Sequence, residues 1–155
     1  MLIENMSFLK SMTHLEPNLV SSLKQIVYPI IGCCQTVHKL MGPFLNEYMY
    51  QEALKIEMDR MPEFVATPEY YFSVQYRGQQ IRHKHYVDFM VRVGDDVIFV
   101  ECKAIEHLGD EQRQQLWNYM RLTETEIGVL YNFAPIVAQC EKYYYNKQTK
   151  EIRAF

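Results

Sequence analysis

The amino-acid sequence predicts an α/β (α+β) fold in which helices flank a mixed central β-sheet. Its N-terminal half repeats apolar residues at helical spacing, whereas the chain from Pro68 onward alternates apolar and polar residues with a period of two. A second helical stretch and a nearly all-apolar run then precede a terminal hairpin. The order of helices, three-stranded meander, helix, strand and hairpin favours one sheet with helices packed against it.

The N-terminal half is expected to form two helices. The first covers residues 18–41, and Pro29 is expected to kink or break it. Gly42 suits a helix C-terminus, and Pro43 suits the first turn of a second helix that reaches about Met58. The apolar side of this second helix is predicted to consist of Leu45, Met49, Ala53 and Ile56.

The second half is expected to be rich in strands. A strand from Pro68 leads to a turn at Arg77-Gly78, and the runs YVDFMVRV and VIFVECKAI flank Gly94-Asp95 as a hairpin. Residues 110–124 have helical periodicity. The run IGVLYNF indicates a buried strand, and the segment from Tyr143 to Ile152 indicates an edge hairpin turning near Asn146-Lys147.

Length and composition are those of one ordinary domain covering residues 1–155. The chain is 48% hydrophobic and 23% charged, without a linker, a repeat or a stretch of about 20 apolar residues that could cross a bilayer. The N-terminal residues lack the features of a signal peptide, so a cytoplasmic location is expected by default. The four cysteines have neither disulfide-framework nor zinc-site spacing and are expected to be partly buried thiols.

The net charge of −3 makes the chain as a whole unattractive to nucleic acid, so any such contact must come from a local patch. Two stretches qualify. RGQQIRHKH contains Arg77, Arg82 and Lys84, and KYYYNKQTKEIR contains Lys142, Lys147, Lys150 and Arg153. The alternative interpretation is that these side chains protect sheet edges from aggregation.

The hairpin around Gly94-Asp95 contains the side chains best suited to binding a metal or to catalysis. If these two residues form the loop, counting back along both strands places Asp88 opposite Glu101; a loop at Asp95-Asp96 places Asp88 opposite Lys103 instead. Glu101 and Lys103 are two apart on one strand, so either loop collects all three residues on one face. A three-residue loop would separate them.

Both carboxylates stand among apolar neighbours, so their burial requires a positive partner. A Mg²⁺-like ion together with the Lys103 ammonium satisfies this, since Mg²⁺ prefers oxygen ligands. A structural Asp–Lys–Glu salt-bridge cluster or a solvated sheet face would fit the same residues. Gln115 and Tyr119 lie one helical turn apart, a pair that is usually half-buried packing, and Glu47 on the second helix is unremarkable alone.

Together these pieces resemble the GxxExxY family of the PD-(D/E)XK nuclease superfamily over residues 25–140, with the terminal hairpin at 141–155 less family-like. The family has a Gly-x-x-Glu-x-x-Tyr helix followed by Asp, Glu-x-Lys and Gln-x-x-x-Tyr. The matching residues here are Glu47, Tyr50, Asp88, Glu101, Lys103, Gln115 and Tyr119. One departure is Phe44, which occupies the position of the signature glycine.

The resemblance implies a restriction-endonuclease-like core and a Mg²⁺- or Mn²⁺-dependent phosphodiesterase acting on nucleic acid, DNA more than RNA. It implies that Asp88, Glu101 and the backbone carbonyl of Cys102 hold the metal, with Glu47 touching it directly or through water. Lys103 would activate water and stabilise negative charge at the phosphate. Gln115 and Tyr119 would hold the phosphate or Lys103.

Two other functions remain open from the sequence. A catalytically silent nucleic-acid-binding or regulatory module would keep the fold, although the retained Asp88, Glu101 and Lys103 argue against it; the acidic net charge favours a weak or partner-dependent enzyme. A metal-assisted hydrolase of a small phosphorylated substrate is the other. A double-strand cutter with one site would work as a homodimer, and an exposed, tyrosine-rich terminal hairpin is expected to serve that contact.

Overall fold

The structure, a computed structural model, describes residues 15–155. The interpretation of the N-terminal residues as lacking a signal peptide falls mostly outside this range. Within these described residues, three helices and eight strands follow one another. They are α1 (Pro17–Met41), α2 (Glu47–Asp59), β1 (Phe64–Phe72), β2 (Gln75–Tyr76), β3 (Gln79–Gln80), β4 (His85–Val93), β5 (Asp96–Lys103), α3 (Asp110–Thr123), β6 (Ile127–Asn132), β7 (Gln139–Asn146) and β8 (Glu151–Ala154).

Six strands form one mixed sheet in the order β1-β4-β5-β6-β7-β8. Strands β5 and β6 are parallel, and every other neighbouring pair is antiparallel. A parallel pair needs a long crossover, and α3 provides it between β5 and β6. The predicted mixed sheet flanked by helices is confirmed.

Each face of the sheet has its own apolar core. Helices α1 and α2 cover one face and pack on side chains of β4, β5 and β6 that include Phe89, Val91, Ile98, Val100 and Val129. Helix α3 covers the other face, where its buried residues Leu116 and Met120 pack with Met90, Phe99 and Leu130. The central strands are therefore buried on both sides, which explains their nearly continuous apolar sequence.

Helix α1 passes through Pro29 without a break, so the expectation of a break there is wrong. Proline removes one backbone hydrogen bond, but Val27, Ile30 and Cys33 around it are buried against the sheet and α2. Tertiary packing of one side of the helix outweighs the local cost. Gly42 ends the helix with a positive φ of 80°, as predicted.

Helix α2 begins at Glu47, so the expectation that Pro43 lies in its first turn is wrong. The chain turns before the helix, where the Phe44 N–H donates to the Ala134 carbonyl at 3.0 Å. The predicted apolar side is confirmed only in part: Leu45 and Ala53 pack against the core, but the buried residues are Tyr50, Leu54 and Met58, and Ile56 is 66% exposed.

The predicted turns are confirmed. Gly94-Asp95 joins β4 and β5, and Arg77-Gly78 joins β2 and β3 in a separate two-stranded sheet. Strand β1 begins at Phe64, four residues before the predicted Pro68.

The terminal hairpin forms as predicted, but its tyrosines are not exposed. Tyr143 and Tyr145 are only 4% and 3% exposed, because they pack on the α3 face of the sheet. The expectation that they offer an exposed dimer contact is therefore wrong. The four cysteines are free thiols, three of them buried. Within residues 15–155, no helix is both long and apolar enough to span a membrane.

Candidate functional site

Strands β4 and β5 separate where the candidate carboxylates lie. Their ladder runs from Val93 opposite Asp96 to Phe89 opposite Val100, which is the register predicted for a Gly94-Asp95 loop. One position further along, hydrogen bonds between backbone and side chain take the place of the backbone hydrogen bonds between the strands. The Asp88 N–H donates to Glu101 Oε1 at 3.1 Å, and the Cys102 N–H donates to Asp88 Oδ2 at 2.8 Å. Each carboxylate therefore accepts a backbone hydrogen bond from the opposite strand.

The Glu101 carboxylate is buried, the Asp88 carboxylate is partly buried, and their negative charges repel each other. Glu101 is 3% exposed, and burial, followed by the charge of Asp88, raises the pKa of Glu101 well above its ordinary value. Burial also raises the pKa of Asp88, although the Cys102 N–H and the Lys103 charge oppose the rise. Two acids held together, one of them buried, have a strong electrostatic demand for a cation.

Lys103 supplies one positive charge to this pair. Its Nζ lies 3.9 Å from Glu101 Oε2 and donates to Gln115 Oε1 at 2.8 Å. The Gln115 amide in turn donates to the Tyr119 hydroxyl at 3.2 Å. The i,i+4 spacing of these two residues on α3 thus produces a relay that holds the Lys103 ammonium beside Glu101.

The backbone after Lys103 is fixed by a buried amide that the sequence analysis missed. The Phe133 N–H donates to the Lys103 carbonyl at 2.8 Å. The fully buried Asn132 side chain accepts from the Ile105 N–H and donates to the Ile105 carbonyl, at 3.0 and 2.8 Å. This polar clamp sets the direction of the loop that leads to α3. An asparagine inside an otherwise apolar strand was the available signal.

Helix α2 contributes from the other side of the sheet. Burial raises the pKa of Glu47, followed by the charge of Asp88, while the charge of Lys103 lowers it, so Glu47 belongs to the same electrostatic cluster. Gln51, one turn further along, lines the same groove as Asp88 and lowers the pKa of the Asp88 carboxyl. The sequence analysis missed Gln51, and its i,i+4 spacing from Glu47 was the only signal.

Tyr50 positions the loop in front of Glu47. Its hydroxyl donates to the Gly42 carbonyl at 2.7 Å and accepts from the Leu45 N–H at 3.1 Å, while its ring stacks on Phe133 with centroids 4.9 Å apart. Tyr50 is fully buried and so has a structural role. Phe44, within this loop, has a φ of 65°, a conformation that favours glycine.

An aromatic wall extends the site beyond Tyr119. The Phe72 ring lies 5.0 Å from the Tyr119 ring, edge to face. The His85 ring is stacked on Phe72 at 5.7 Å and lies 5.5 Å from the His83 ring. The two histidines were not singled out from the sequence, where they stood only as part of a basic stretch.

A groove of about 450 Å³ reaches Asp88 from solvent. It runs between α2 and the strands β1 and β4. Its walls include Tyr48, Gln51, Lys55, Glu69 and Asp88.

The donor set fits a hard divalent cation in chemistry. Asp88 and Glu101 offer carboxylate oxygens, the ligands that Mg²⁺ and Mn²⁺ prefer. Among residues 15–155, however, no three His, Cys, Asp or Glu side chains are gathered to hold one ion. The Cys102 side chain packs into the core on the α1 face, and its backbone lies at the site through the N–H bond to Asp88. The structure thus brings two acidic side chains together, with Glu47 as an acidic neighbour.

Comparison with known proteins identifies the superfamily. No curated protein matches the sequence. The crystal structure of SSO0001 is similar to the chain with a TM-score of 0.45 and 15% identity, covering 89% of this chain and 73% of that one. The family model described as the PD-(D/E)XK nuclease superfamily matches residues 24–143, a span that contains every candidate site residue. The chain belongs to the PD-(D/E)XK nuclease superfamily.

Proposed function

We propose that the chain is a metal-dependent nuclease that hydrolyses phosphodiester bonds of nucleic acid, DNA more than RNA. The observation that supports this most is the contact between Asp88 and Glu101, two acids with raised pKa values, with Lys103 Nζ 3.9 Å from Glu101 Oε2. Acids whose pKa values are perturbed by burial and by a specific charged partner, and that lie beside a groove, are candidates for a functional site.

Within the superfamily, we assign the chain to the GxxExxY family. The positive φ of Phe44 supports this, because the family places glycine at that position and glycine adopts this conformation without strain. Tyr50 and Glu47 follow at the family's spacing. Phe44 therefore replaces the glycine of the family pattern but adopts a backbone conformation that glycine favours.

Asp88 and Glu101 would hold Mg²⁺ or Mn²⁺, with the Cys102 carbonyl and Glu47 as further ligands, Glu47 directly or through water. The chemistry that such an ion supplies when bound is a more acidic water molecule and neutralisation of charge on the phosphate. Lys103 would orient the attacking water and stabilise the negative charge that grows on the phosphoryl oxygens. Gln115 and Tyr119 hold Lys103 in place through their hydrogen bonds.

A nuclease assay with matched variants tests the proposal. We expect the purified chain to cleave plasmid or single-stranded DNA with Mg²⁺ or Mn²⁺, and Lys103→Ala to lose about two orders of magnitude or more in rate, as for removal of one group that stabilises developing charge. Lys24→Ala, on the exposed part of α1, is the control and should cleave like the wild type. Equal rates for Lys103→Ala and the wild type would contradict the assigned role.

The alternative is a catalytically silent nucleic-acid-binding or regulatory module of the same fold. One observation favours it: within residues 15–155, no third metal-ligating side chain joins Asp88 and Glu101. The two functions differ in the same assay. Salt-sensitive binding to DNA without cleavage under any metal condition would support the silent module and overturn the nuclease.

A further inference from the structure

Residues 73–84, hereafter the arm, leave the central sheet between β1 and β4 and form the small β2–β3 sheet. The arm is tied to the body at its base. The Gln80 amide donates to the Tyr71 hydroxyl of β1 at 3.3 Å, and within the arm the Ile81 N–H donates to the Val74 carbonyl at 2.8 Å. The arm is therefore a defined projection with a fixed root.

The arm is a cationic part of an acidic chain. The sequence from Tyr70 to Val87 contains Arg77, Arg82 and Lys84 and no Asp or Glu, whereas the whole chain has a net charge of −3. These three side chains are exposed, and in residues 15–155 none of them forms an ion pair. Three unpaired cations without a local acid provide a surface for an anionic partner.

The other basic stretch differs, because two of its four cations form ion pairs within the chain. Lys147 Nζ lies 3.2 Å from Glu126, and the Arg153 guanidinium lies 2.8 Å from Glu151. Lys142 Nζ lies 5.7 Å from the Phe155 ring centroid. This comparison singles out the arm as the nucleic-acid surface.

The root of the arm adjoins the relay that holds Lys103. Phe72, the last residue before the arm, contacts Tyr119 with ring centroids 5.0 Å apart, and His85, the first residue of β4 after it, lies 6.3 Å from the same ring. Tyr119 accepts a hydrogen bond from Gln115, the partner of Lys103. A strand held along the arm would therefore lead to the proposed reaction centre.

Exposed tyrosines accompany the cations. Tyr76 is 66% exposed with the Arg77 guanidinium 5.8 Å from its ring centroid, and Tyr71 and Tyr86 are 41% and 46% exposed with centroids 5.6 Å apart. Cations for phosphates interleaved with aromatic rings for bases are the features that bind single strands. In a duplex the base faces are stacked on one another, so these rings would have no partner.

We propose that the arm binds the unpaired strand of the substrate, which makes single-stranded DNA, or a single-stranded segment of branched DNA, the substrate class. This inference rests on the proposed function for the scissile phosphate but concerns a different surface. Its test therefore measures binding without cleavage.

The experiment uses fluorescence anisotropy of the full chain in EDTA with a labelled thymidine oligonucleotide of about 16 nucleotides, the upper range of common single-strand sites, and with a duplex of equal length. We expect tighter binding to the single strand. Tyr76→Ala should weaken that binding roughly 5- to 150-fold, the effect of losing one base stack, and leave duplex binding unchanged. Tyr28→Ala is the control, because Tyr28 is 78% exposed on α1, away from the arm.

Salt dependence tests the cations separately. For Arg82→Ala/Lys84→Ala, the slope of log K against log salt should become less negative by about 1.4, the value for two lost phosphate contacts on a single strand. The charge-matched control, Lys147→Ala/Lys150→Ala, should keep the wild-type slope. Thermal melts identify any variant that is not folded.

The outcomes separate this inference from the nuclease proposal. Wild-type preference for the duplex, or arm variants that bind like the wild type, would overturn the arm assignment even if the chain cleaves DNA through Lys103. Arm-dependent single-strand binding by a chain that cleaves nothing would support the arm and overturn the nuclease.

Discussion

Phe44 is a residue whose backbone conformation conflicts with its side chain. Its φ of 65° lies in the left-handed region, where a Cβ atom crowds the following carbonyl. The ring is 74% exposed, so little packing compensates for this strain. The loop retains the conformation because Tyr50 bonds both Gly42 and Leu45, and because the Phe44 N–H reaches Ala134. Strain sustained by its surroundings is typical of loops that position a site.

The strain predicts that Phe44→Gly stabilises the protein. Glycine adopts the positive φ freely, and the gain should be about 1 kcal/mol after the entropy cost of a more flexible unfolded chain. Thermal unfolding should show a rise in Tm of roughly 2–4 °C. Phe44→Ala is the control, because it removes the ring but keeps the strained Cβ; an equal rise in that variant would attribute the gain to the ring.

At the scale of helices and strands, packing depends on how closely two elements approach as well as on the periodicity of their apolar residues. Helix α3 crosses the buried strand β6 at Gly128, where an added Cβ would lie 2.5 Å from the Met120 sulfur and 3.2 Å from the Leu116 methyl carbons. Gly32, within α1, has no atom within 4 Å of an added Cβ. Close packing therefore requires glycine at position 128, whereas packing would allow a larger residue at position 32.

We predict that Gly128→Ala destabilises the protein and Gly32→Ala stabilises it. Overpacking between α3 and β6 should cost about 1–3 kcal/mol, whereas alanine in the interior of α1 should gain about 1 kcal/mol. Urea titration of both variants measures the free energies of unfolding. The explanation from close approach would be wrong if Gly128→Ala were as stable as the wild type.

For the helices and strands, the sequence could predict those contacts that follow from local rules. The pairing of Asp88 with Glu101 was accessible because it depends on local rules, a two-residue turn at Gly94 and the period of two. The buried face of α2 was not, because Tyr50 is an apolar anchor only when Gly42 and Leu45 satisfy its hydroxyl. The contacts of Gln51 and the root of the arm depend on elements distant in sequence. No local pattern encodes them.

At the scale of the whole molecule, an ion pair links α3 to β7. The Arg113 guanidinium donates from Nε to both oxygens of Glu141 at 2.8 Å, and the Tyr143 hydroxyl donates to the same carboxylate at 2.6 Å. Burial alone would raise the pKa of Glu141, but the hydrogen bonds from Arg113 and Tyr143 outweigh it and lower that pKa below its ordinary value. The side chains are 30% and 23% exposed, so solvent screens the pair only in part.

This pair predicts acid sensitivity. A carboxylate whose folded pKa is lowered stabilises the fold above its unfolded pKa of about 4.3, and the stability is lost as the pH falls through the folded pKa. Glu141→Gln should be less stable than the wild type by about 1.5–3 kcal/mol at pH 7, and the difference should shrink below about pH 4. Urea titrations across this range measure both curves; a constant difference at every pH would contradict the ionic contribution.

The contact between Asp88 and Glu101 connects the whole fold to the proposed metal, because these acids join strands from both sides of the hairpin. An ion that binds only the folded chain stabilises it by about 2.7 kcal/mol at 100 times its Kd, so Mn²⁺ should raise the Tm by several degrees. Asp88→Asn and Glu101→Gln keep oxygens that can accept the backbone N–H bonds but lose the charge, so both should fold and lose the shift. Asp96→Asn, exposed at the turn of the same hairpin, should keep it. If both amide variants kept the full rise in Tm with Mn²⁺, the cation would be bound elsewhere. The assignment of these two acids as ligands would then be wrong.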